Sequence, residues 1–172
     1  MTSMIFSGVG DTRGLKHDKA LLDKLETLLS SGEVPYINAI CFVAHAGNAR
    51  LTPAQKFTFD HIVSGFGKDM KDNIFGLFTF DDGTPPKALD AFEEAEIGLA
   101  GYFQFNSLGI LGGRCQDTLV DKEVMMTPEA TTCIQFQRFY SNCDKLMAVL
   151  QSVPAKKTEM SVQVMLQRKI VS

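Results

Sequence analysis

Two candidate site residues, Thr79 and Asp82, stand where an apolar segment of the chain ends. Residues 74–80 are almost wholly apolar, and two carboxylates, a glycine and two prolines follow within six positions. Such a run is typical of a strand buried on both faces of a parallel sheet. Ligands bind beyond the carboxyl ends of such strands, so chemistry is expected at Thr79 and Asp82. The alternative, favoured on spacing alone, is an ordinary solvated turn.

The histidines form no recognisable catalytic motif. His17, His45 and His61 are the only histidines, and the sequence contains neither H-E-x-x-H nor a G-x-S-x-G elbow. His45, at the end of a predicted strand, is the single candidate for a general base, but a polar strand terminus is the favoured interpretation. An unrelated hydrolase is therefore not expected.

The cysteines are scattered, with no C-x-x-C pair and no histidine pair nearby. Zinc needs clustered thiolates or imidazoles, so no zinc site is expected. A thiol in an apolar strand or on an apolar helix face behaves as a small hydrophobic group. We predict that all four are reduced and structural: Cys41, Cys115, Cys133 and Cys143.

Composition indicates one ordinary globular domain. The chain has 172 residues, of which 45% are hydrophobic and 22% charged, and this is enough to bury a sizeable core. The net charge of −3, without a basic stripe, makes nucleic acid an unexpected partner. The most continuous apolar stretch, 37–46, contains Asn38 and His45 and is too short to span a bilayer. Because the start of the chain lacks signal-peptide features, a cytoplasmic location is expected.

Local signals place helices between the apolar segments. Asp18 is a candidate N-cap for a helix with a leucine stripe, which Ser30-Ser31-Gly32 ends. Thr52 to Gln55 form a capping box with proline at the first helical position, which predicts a helix reaching about Phe66. Further helices are predicted near 87–96, from Thr127-Pro128 to Pro154, and around 162–166.

Three apolar segments alternate with these helices, at 37–46, 74–80 and 102–105. Residues 68–72 are expected to be a polar connection, and 108–126 carry no clear period. Alternation of this kind predicts an α/β fold, with a parallel sheet covered by helices on both faces.

Three stretches taken together resemble the G domain of septin- and GIMAP-like (AIG-type) P-loop GTPases, in particular an animal subgroup. They are GVGDTRG at 8–14, the run from INAICFV at 37–43 to NIFGLFTF at 73–80, and FNS at 105–107. The resemblance implies a partial P-loop NTPase-type three-layer sandwich with about three or four parallel strands, lacking the first strand and the phosphate loop. It also implies an incomplete G domain over 1–153 and a C-terminal helical extension over 154–172.

In that family a motif of the form [N/T]-K-x-D recognises guanine. Thr79-Phe80-Asp81-Asp82 matches it, with phenylalanine in place of lysine. By this resemblance, Asp82 accepts hydrogen bonds from two N–H donors on one edge of guanine, a contact that adenine does not supply. Phe80 would stack on the base, where the family's lysine lays its stem. The alternatives are that Phe80 is a core residue and that Asp82 caps the helix near Lys87.

The family's last motif follows the next strand, where Phe105-Asn106-Ser107 matches by position. An asparagine there offers a donor and an acceptor to the base. A plain turn residue is the alternative for Asn106. Because neighbouring parallel strands end side by side, Asp82 and Asn106 are expected to lie close together.

The phosphate and metal half of the pocket has no counterpart. The sequence contains no G-x-x-x-x-G-K-[S/T] loop. Of the family's D-T-P-G motif, which aligns with Ile5 to Gly8, only Gly8 survives as a phosphate-side residue. We therefore expect weak binding of GTP or GDP, no magnesium bound by this chain alone, and no GTP hydrolysis.

The predicted function is a truncated or degenerate guanine-nucleotide-binding domain that retains its base-recognition motifs. The alternative is an interaction or oligomerisation protein that needs no nucleotide and pairs with itself or with a related G domain. For that alternative the expected contact is Ile40 to Val43, since loss of the neighbouring strand would leave an apolar edge unpaired. An upstream segment carrying a phosphate loop would favour the first function.

Overall fold

The computed structural model describes residues 15–66, 68–107, 128–159 and 161–163. The elements alternate between helix and strand through most of these ranges. In chain order they are α1 (Leu15–Ser30), β1 (Tyr36–Ile37), β2 (Ile40–His45), α2 (Pro53–Gly65), a 3₁₀ helix (Lys68–Asn73), β3 (Ile74–Thr79), α3 (Ala88–Glu94), β4 (Gly101–Phe105), α4 (Pro128–Ser152) and β5 (Lys156–Lys157).

Strands β2, β3 and β4 form a parallel sheet in that order, with β3 in the middle. The register pairs His45 with Thr79 and Thr79 with Phe105, so the three strands end level with one another. Helices flank this sheet, which confirms the predicted α/β class. β1 and β5 form a separate antiparallel pair, so the predicted strand at 37–46 is divided between two sheets.

Aromatic side chains from two strands and two helices form the main core. Phe42 of β2 packs on Phe59 of α2, with ring centroids 4.6 Å apart. The ring centroid of Phe92 on α3 lies 5.6 Å from that of Phe59 and 5.8 Å from that of Phe78 on β3. Phe78 is fully buried. This packing fixes β3, and therefore the start of the turn that follows it, against α2 and α3.

Most helix boundaries follow the local signals. At the start of α2, the Gln55 N–H donates to the Thr52 hydroxyl and the Thr52 N–H donates to the Gln55 side chain, which confirms the capping box. α1 ends at Ser30, and Gly32 adopts a φ of +76°, as expected of a glycine after the last turn. The prediction that Asp18 caps α1 is wrong, because the helix already begins at Leu15. The predicted polar connection at 68–72 forms the 3₁₀ helix.

One prediction about the cysteines is also wrong. Cys41 and Cys143 are free thiols, and burial raises the pKa of both, so they behave as expected. Cys133, however, is disulfide-bonded. The spacing of the cysteines gave no signal for this bond.

The C-terminal segment is tied to the start of the sheet. The buried Asn73 amide donates to the carbonyl of Asn38 at 2.6 Å and to that of Pro154 at 2.9 Å. The Thr158 hydroxyl donates to the carbonyl of Val34 at 2.8 Å. Pro154 follows the end of α4, as predicted, and the strand β5 and the helical residues 161–163 come after it.

None of the helices in the described ranges combines the length and the apolar character that a bilayer crossing requires. Two groups of sequence predictions lie outside those ranges. They are the loop at 8–14 with the phosphate-side candidate Gly8, and the connection at 108–126.

Candidate functional site

The candidate site lies where β2, β3 and β4 end together. The Ala46 N–H donates to the carbonyl of Thr79 at 2.8 Å, and the Thr79 hydroxyl donates to the carbonyl of Ala44 at 3.3 Å. Both bonds join the end of β2 to the end of β3. Thr79, the first predicted site residue, thus fixes the position of the following turn.

Phe80 leaves the sheet in an unusual conformation. Its φ is +58°, a left-handed value that costs a residue with a Cβ roughly 1–2 kcal/mol. The side chain is 65% exposed, so the alternative that Phe80 belongs to the core is wrong. Its ring stacks on that of His45, with centroids 4.6 Å apart and an interplanar angle of 17°. The sequence predicted the exposed ring as a stacking surface, but not its histidine neighbour.

Asp82 is exposed and makes a local turn with Thr84. One of its carboxylate oxygens accepts the Thr84 hydroxyl at 2.6 Å and the Thr84 N–H at 2.9 Å. The hydroxyl bond is the largest cause of a lowered pKa at Asp82, so the carboxylate is charged at neutral pH. The alternative role as a helix cap is wrong, because α3 begins after Lys87 without a side-chain cap.

Asp81, which the motif leaves unspecified, is the buried carboxylate of the pair. It is 5% exposed, and its second oxygen lies 3.1 Å from Nη2 of Arg138 on α4. Its first oxygen accepts the Gly83 N–H at 2.8 Å and the Gln104 amide at 3.0 Å. These partners come from the turn, β4 and α4. No sequence signal links Asp81 to Arg138, which lies far along the chain.

Asn106 supports the backbone of the same turn. Its side-chain amide donates to the carbonyl of Asp81 at 2.6 Å, and the Asp81 N–H donates to the carbonyl of Phe105 at 3.0 Å. The Phe105 ring contacts Phe139 of α4 edge-on, at 5.8 Å. Phe105 and Asn106 therefore join β4 to the turn on one side and to α4 on the other.

A small cavity lies among the side chains at the ends of β3 and β4, and Asp82 and Asn106 are among the residues that line it. The two predicted base-contacting residues are thus brought together. The cavity measures about 30 Å³, which leaves room for roughly one or two water molecules but not for a purine. A base would have to lie on the outer surface of the turn, where Phe80 and Asp82 are exposed.

In chemical terms the strand ends have a closed and an open side. The closed side comprises Asp81 and three side chains that contact it. The Gln104 amide and the Arg138 guanidinium bind its carboxylate, and the Asn106 amide donates to its carbonyl. The open side comprises the exposed aromatic ring of Phe80 and the ionised carboxylate of Asp82. The open side can stack on a flat ring and accept hydrogen bonds from it.

Within the ranges that the structure describes, no group of three or more histidine, cysteine, aspartate or glutamate side chains is placed to hold a metal ion. Comparisons of the chain with protein-family models, with curated proteins and with solved structures give no match.

Proposed function

We propose that this protein is a degenerate P-loop NTPase-type domain that recognises the guanine base without catalysing hydrolysis. The observation that carries the proposal is the pairing of an exposed aromatic ring, Phe80, with an exposed and ionised carboxylate, Asp82, at the carboxyl end of β3. The sequence resemblance to septin- and GIMAP-like G domains supplies the ligand class.

The recognition follows from the chemistry of the two side chains. Guanine stacks on the open face of Phe80 and directs its two N–H donors toward the Asp82 carboxylate. Adenine presents an acceptor at one of those positions, so it would leave the carboxylate incompletely paired. Thr84 lowers the pKa of Asp82, and Asn106 holds the backbone of the turn in place.

Binding through the base alone is weak. Two or three contacts contribute about 1–3 kcal/mol each, and association costs at least about 4 kcal/mol, so the expected dissociation constant is on the order of millimolar. GTP and GDP would bind through their shared base, and the proposed contacts involve no magnesium ion.

The test is an NMR titration of the protein with guanosine and adenosine monophosphates. We expect guanosine monophosphate to shift the amide signals near Phe80 and Asp82 at millimolar concentration, and Asp82→Asn to remove the preference over adenosine monophosphate. Asp90→Asn changes an exposed carboxylate on α3 and is the matched control. A guanine preference that survives Asp82→Asn, or no shift with either nucleotide, would refute the proposal.

A second function, pairing with another copy or with a related G domain, is favoured by the edge of β2. Val43 is 61% exposed, and among the described residues β2 pairs only with β3. An exposed edge strand is a template for another strand. Sedimentation should show an association that Val43→Lys weakens, and a monomer at all concentrations would exclude pairing of copies.

We propose the cytoplasm as the location for either function. The disulfide at Cys133 is the observation that opposes this, since such bonds are rare in reducing compartments. Mass spectrometry of the protein after rapid alkylation in cells would find Cys133 alkylated if the location is cytoplasmic.

A further inference from the structure

We propose that His45 is a positioning residue that holds the Phe80 ring as a platform for a purine base. The inference rests on the proposed function for its ligand class, a purine nucleotide. It assigns a role to a residue that the sequence favoured only as a polar strand terminus.

The first observation is the contact between the two rings. They are nearly parallel, with centroids 4.6 Å apart, so His45 covers one face of Phe80. Phe80 nevertheless remains 65% exposed, which leaves the opposite face in water. A lone exposed phenylalanine changes rotamer readily, and a base that stacks on it must first order the side chain. Because His45 already orders the Phe80 ring, a base that stacks on it avoids much of that cost in conformational entropy.

The second observation is that His45 is itself held. Its Nδ1 accepts the Gly47 N–H at 3.0 Å, and its carbonyl accepts the Asn48 N–H at 3.0 Å. A Cβ at Gly47 would lie 3.3 Å from the imidazole, so the turn fits closely around the ring. The Gly47 bond occupies Nδ1 as an acceptor and places the proton of the neutral ring on Nε2.

The third observation concerns the backbone beneath Phe80. Its left-handed φ points the ring away from the core, and the next residue, Asp81, is anchored by the Phe105 carbonyl and by Arg138. The backbone therefore fixes the point from which the Phe80 side chain projects, and His45 fixes the orientation of its ring. Non-glycine residues in this region of φ persist where surrounding contacts enforce them, and they cluster at ligand sites.

The occupant that fits the platform is a purine rather than an apolar side chain. Asp82, two positions after Phe80, is ionised and exposed. An apolar partner pressed against Phe80 would leave this charge partly desolvated and unpaired. The N–H edge of a purine instead gives the carboxylate hydrogen-bond donors while the ring stacks.

The test distinguishes the contribution of the His45 ring to binding from that of its hydrogen bond with Gly47. His45→Phe keeps a ring but loses the acceptor for Gly47, whereas His45→Asn keeps an acceptor near the same position but loses the ring. Guanosine and adenosine monophosphates are the probes, titrated by NMR into the full chain. We expect His45→Ala and His45→Asn to weaken binding of both nucleotides about three- to tenfold, and His45→Phe to restore most of it.

A spectroscopic measurement shows whether the platform forms without ligand. In the free protein, the Phe80 ring protons should carry ring-current shifts from His45. His45→Ala and His45→Asn should remove these shifts and leave the rest of the spectrum unchanged. With nucleotide bound, base protons should show nuclear Overhauser contacts to Phe80. Absence of those shifts in the wild type would overturn the inference.

The outcomes distinguish this inference from the proposed function. Guanine-selective binding that depends on Asp82 but not on His45 would overturn the inference and leave the function intact. Binding of both purines that depends on His45 but not on Asp82 would support the platform and overturn the guanine assignment. Rescue by His45→Asn rather than His45→Phe would also overturn the inference, since the Gly47 bond would then matter and the ring would not.

Discussion

Asp81 and Asp82 are neighbours in sequence and both line the small cavity at the strand ends, yet Asp81 is buried and Asp82 is exposed. Asp81 faces inward and is engaged by the Arg138 guanidinium, the Gln104 amide and a backbone N–H. Asp82 faces water and contacts Thr84. The motif that resembles a base-recognition sequence therefore contains one carboxylate with a structural role and one that remains accessible.

This contrast shows how the turn can carry a weak ligand site on a stable support. Burying a charge is costly unless it is paired and hydrogen-bonded, and the closed side meets that condition for Asp81. The ring of Phe80 and the carboxylate of Asp82 add little to folding, because both lie largely in water. Variants on the two sides should therefore change different properties.

Among variants of the turn after β3, the largest effect is expected from Asp81→Ala. It removes the acceptor of the Gly83 N–H, one of the two acceptors of the Gln104 amide and the charge opposite Arg138, so the free energy of unfolding should fall by about 3 kcal/mol. Asp82→Ala should change it far less, because this carboxylate lies in water. Urea unfolding at constant m-value measures both, and equal losses would refute the distinction between the two sides.

Arg138→Ala should have an intermediate effect, about 1–2 kcal/mol. The guanidinium is 44% exposed, so water screens part of its attraction, and Asp81 keeps its other two donors. The same unfolding experiment applies. A loss as large as that of Asp81→Ala would mean that the ion pair dominates the closed side.

Phe80→Asn tests whether the exposed ring serves function at the expense of stability. Asparagine tolerates a positive φ, so the free energy of unfolding should stay constant or rise by up to about 1 kcal/mol, while purine binding is lost. Phe78→Asn, two positions earlier at a fully buried site, should instead destabilise the fold by at least about 3 kcal/mol. A clear loss of stability with Phe80→Asn would assign the ring to structure.

Several parts of the fold could be predicted because their causes are local. The capping box at Thr52 is completed within four residues, and the apolar run of β3 follows from its burial between two neighbouring strands. The alternation of strands and helices was sufficient for the parallel sheet. The division of 37–46 was not visible, because β1 pairs with Lys156 and Lys157 at the far end of the chain.

The candidate site was predictable in position but not in orientation. The end of β3 and the nearness of Asp82 to Asn106 follow from parallel strands in register. Which of the two carboxylates turns inward depends on the left-handed φ of Phe80 and on Arg138, contributed by a helix after β4. Sequence spacing encodes neither, and the His45 contact also requires the register between β2 and β3.

The smallest effect is expected from Thr84→Ala, which acts through the pKa of Asp82. The Thr84 hydroxyl is the largest cause of the lowered pKa, so its removal should raise the pKa of Asp82 toward the ordinary value of 3.8. A carboxyl whose pKa is lowered by folding stabilises the native state above its unfolded pKa, and that contribution disappears as pH falls through the lowered value. Thr84→Ala should therefore lower stability slightly at neutral pH, and the difference from the wild type should disappear in acid as the pH falls through the lowered pKa of Asp82, while guanine binding at neutral pH stays unchanged because the carboxylate is ionised in both proteins. A carbon-13 NMR titration of the carboxyl measures the shift, and Thr27→Ala, which removes a hydroxyl on α1 bonded to the Asp23 carbonyl, is the control. A pKa of Asp82 that does not move would show that the Thr84 N–H, rather than the hydroxyl, is the main cause of the lowered pKa.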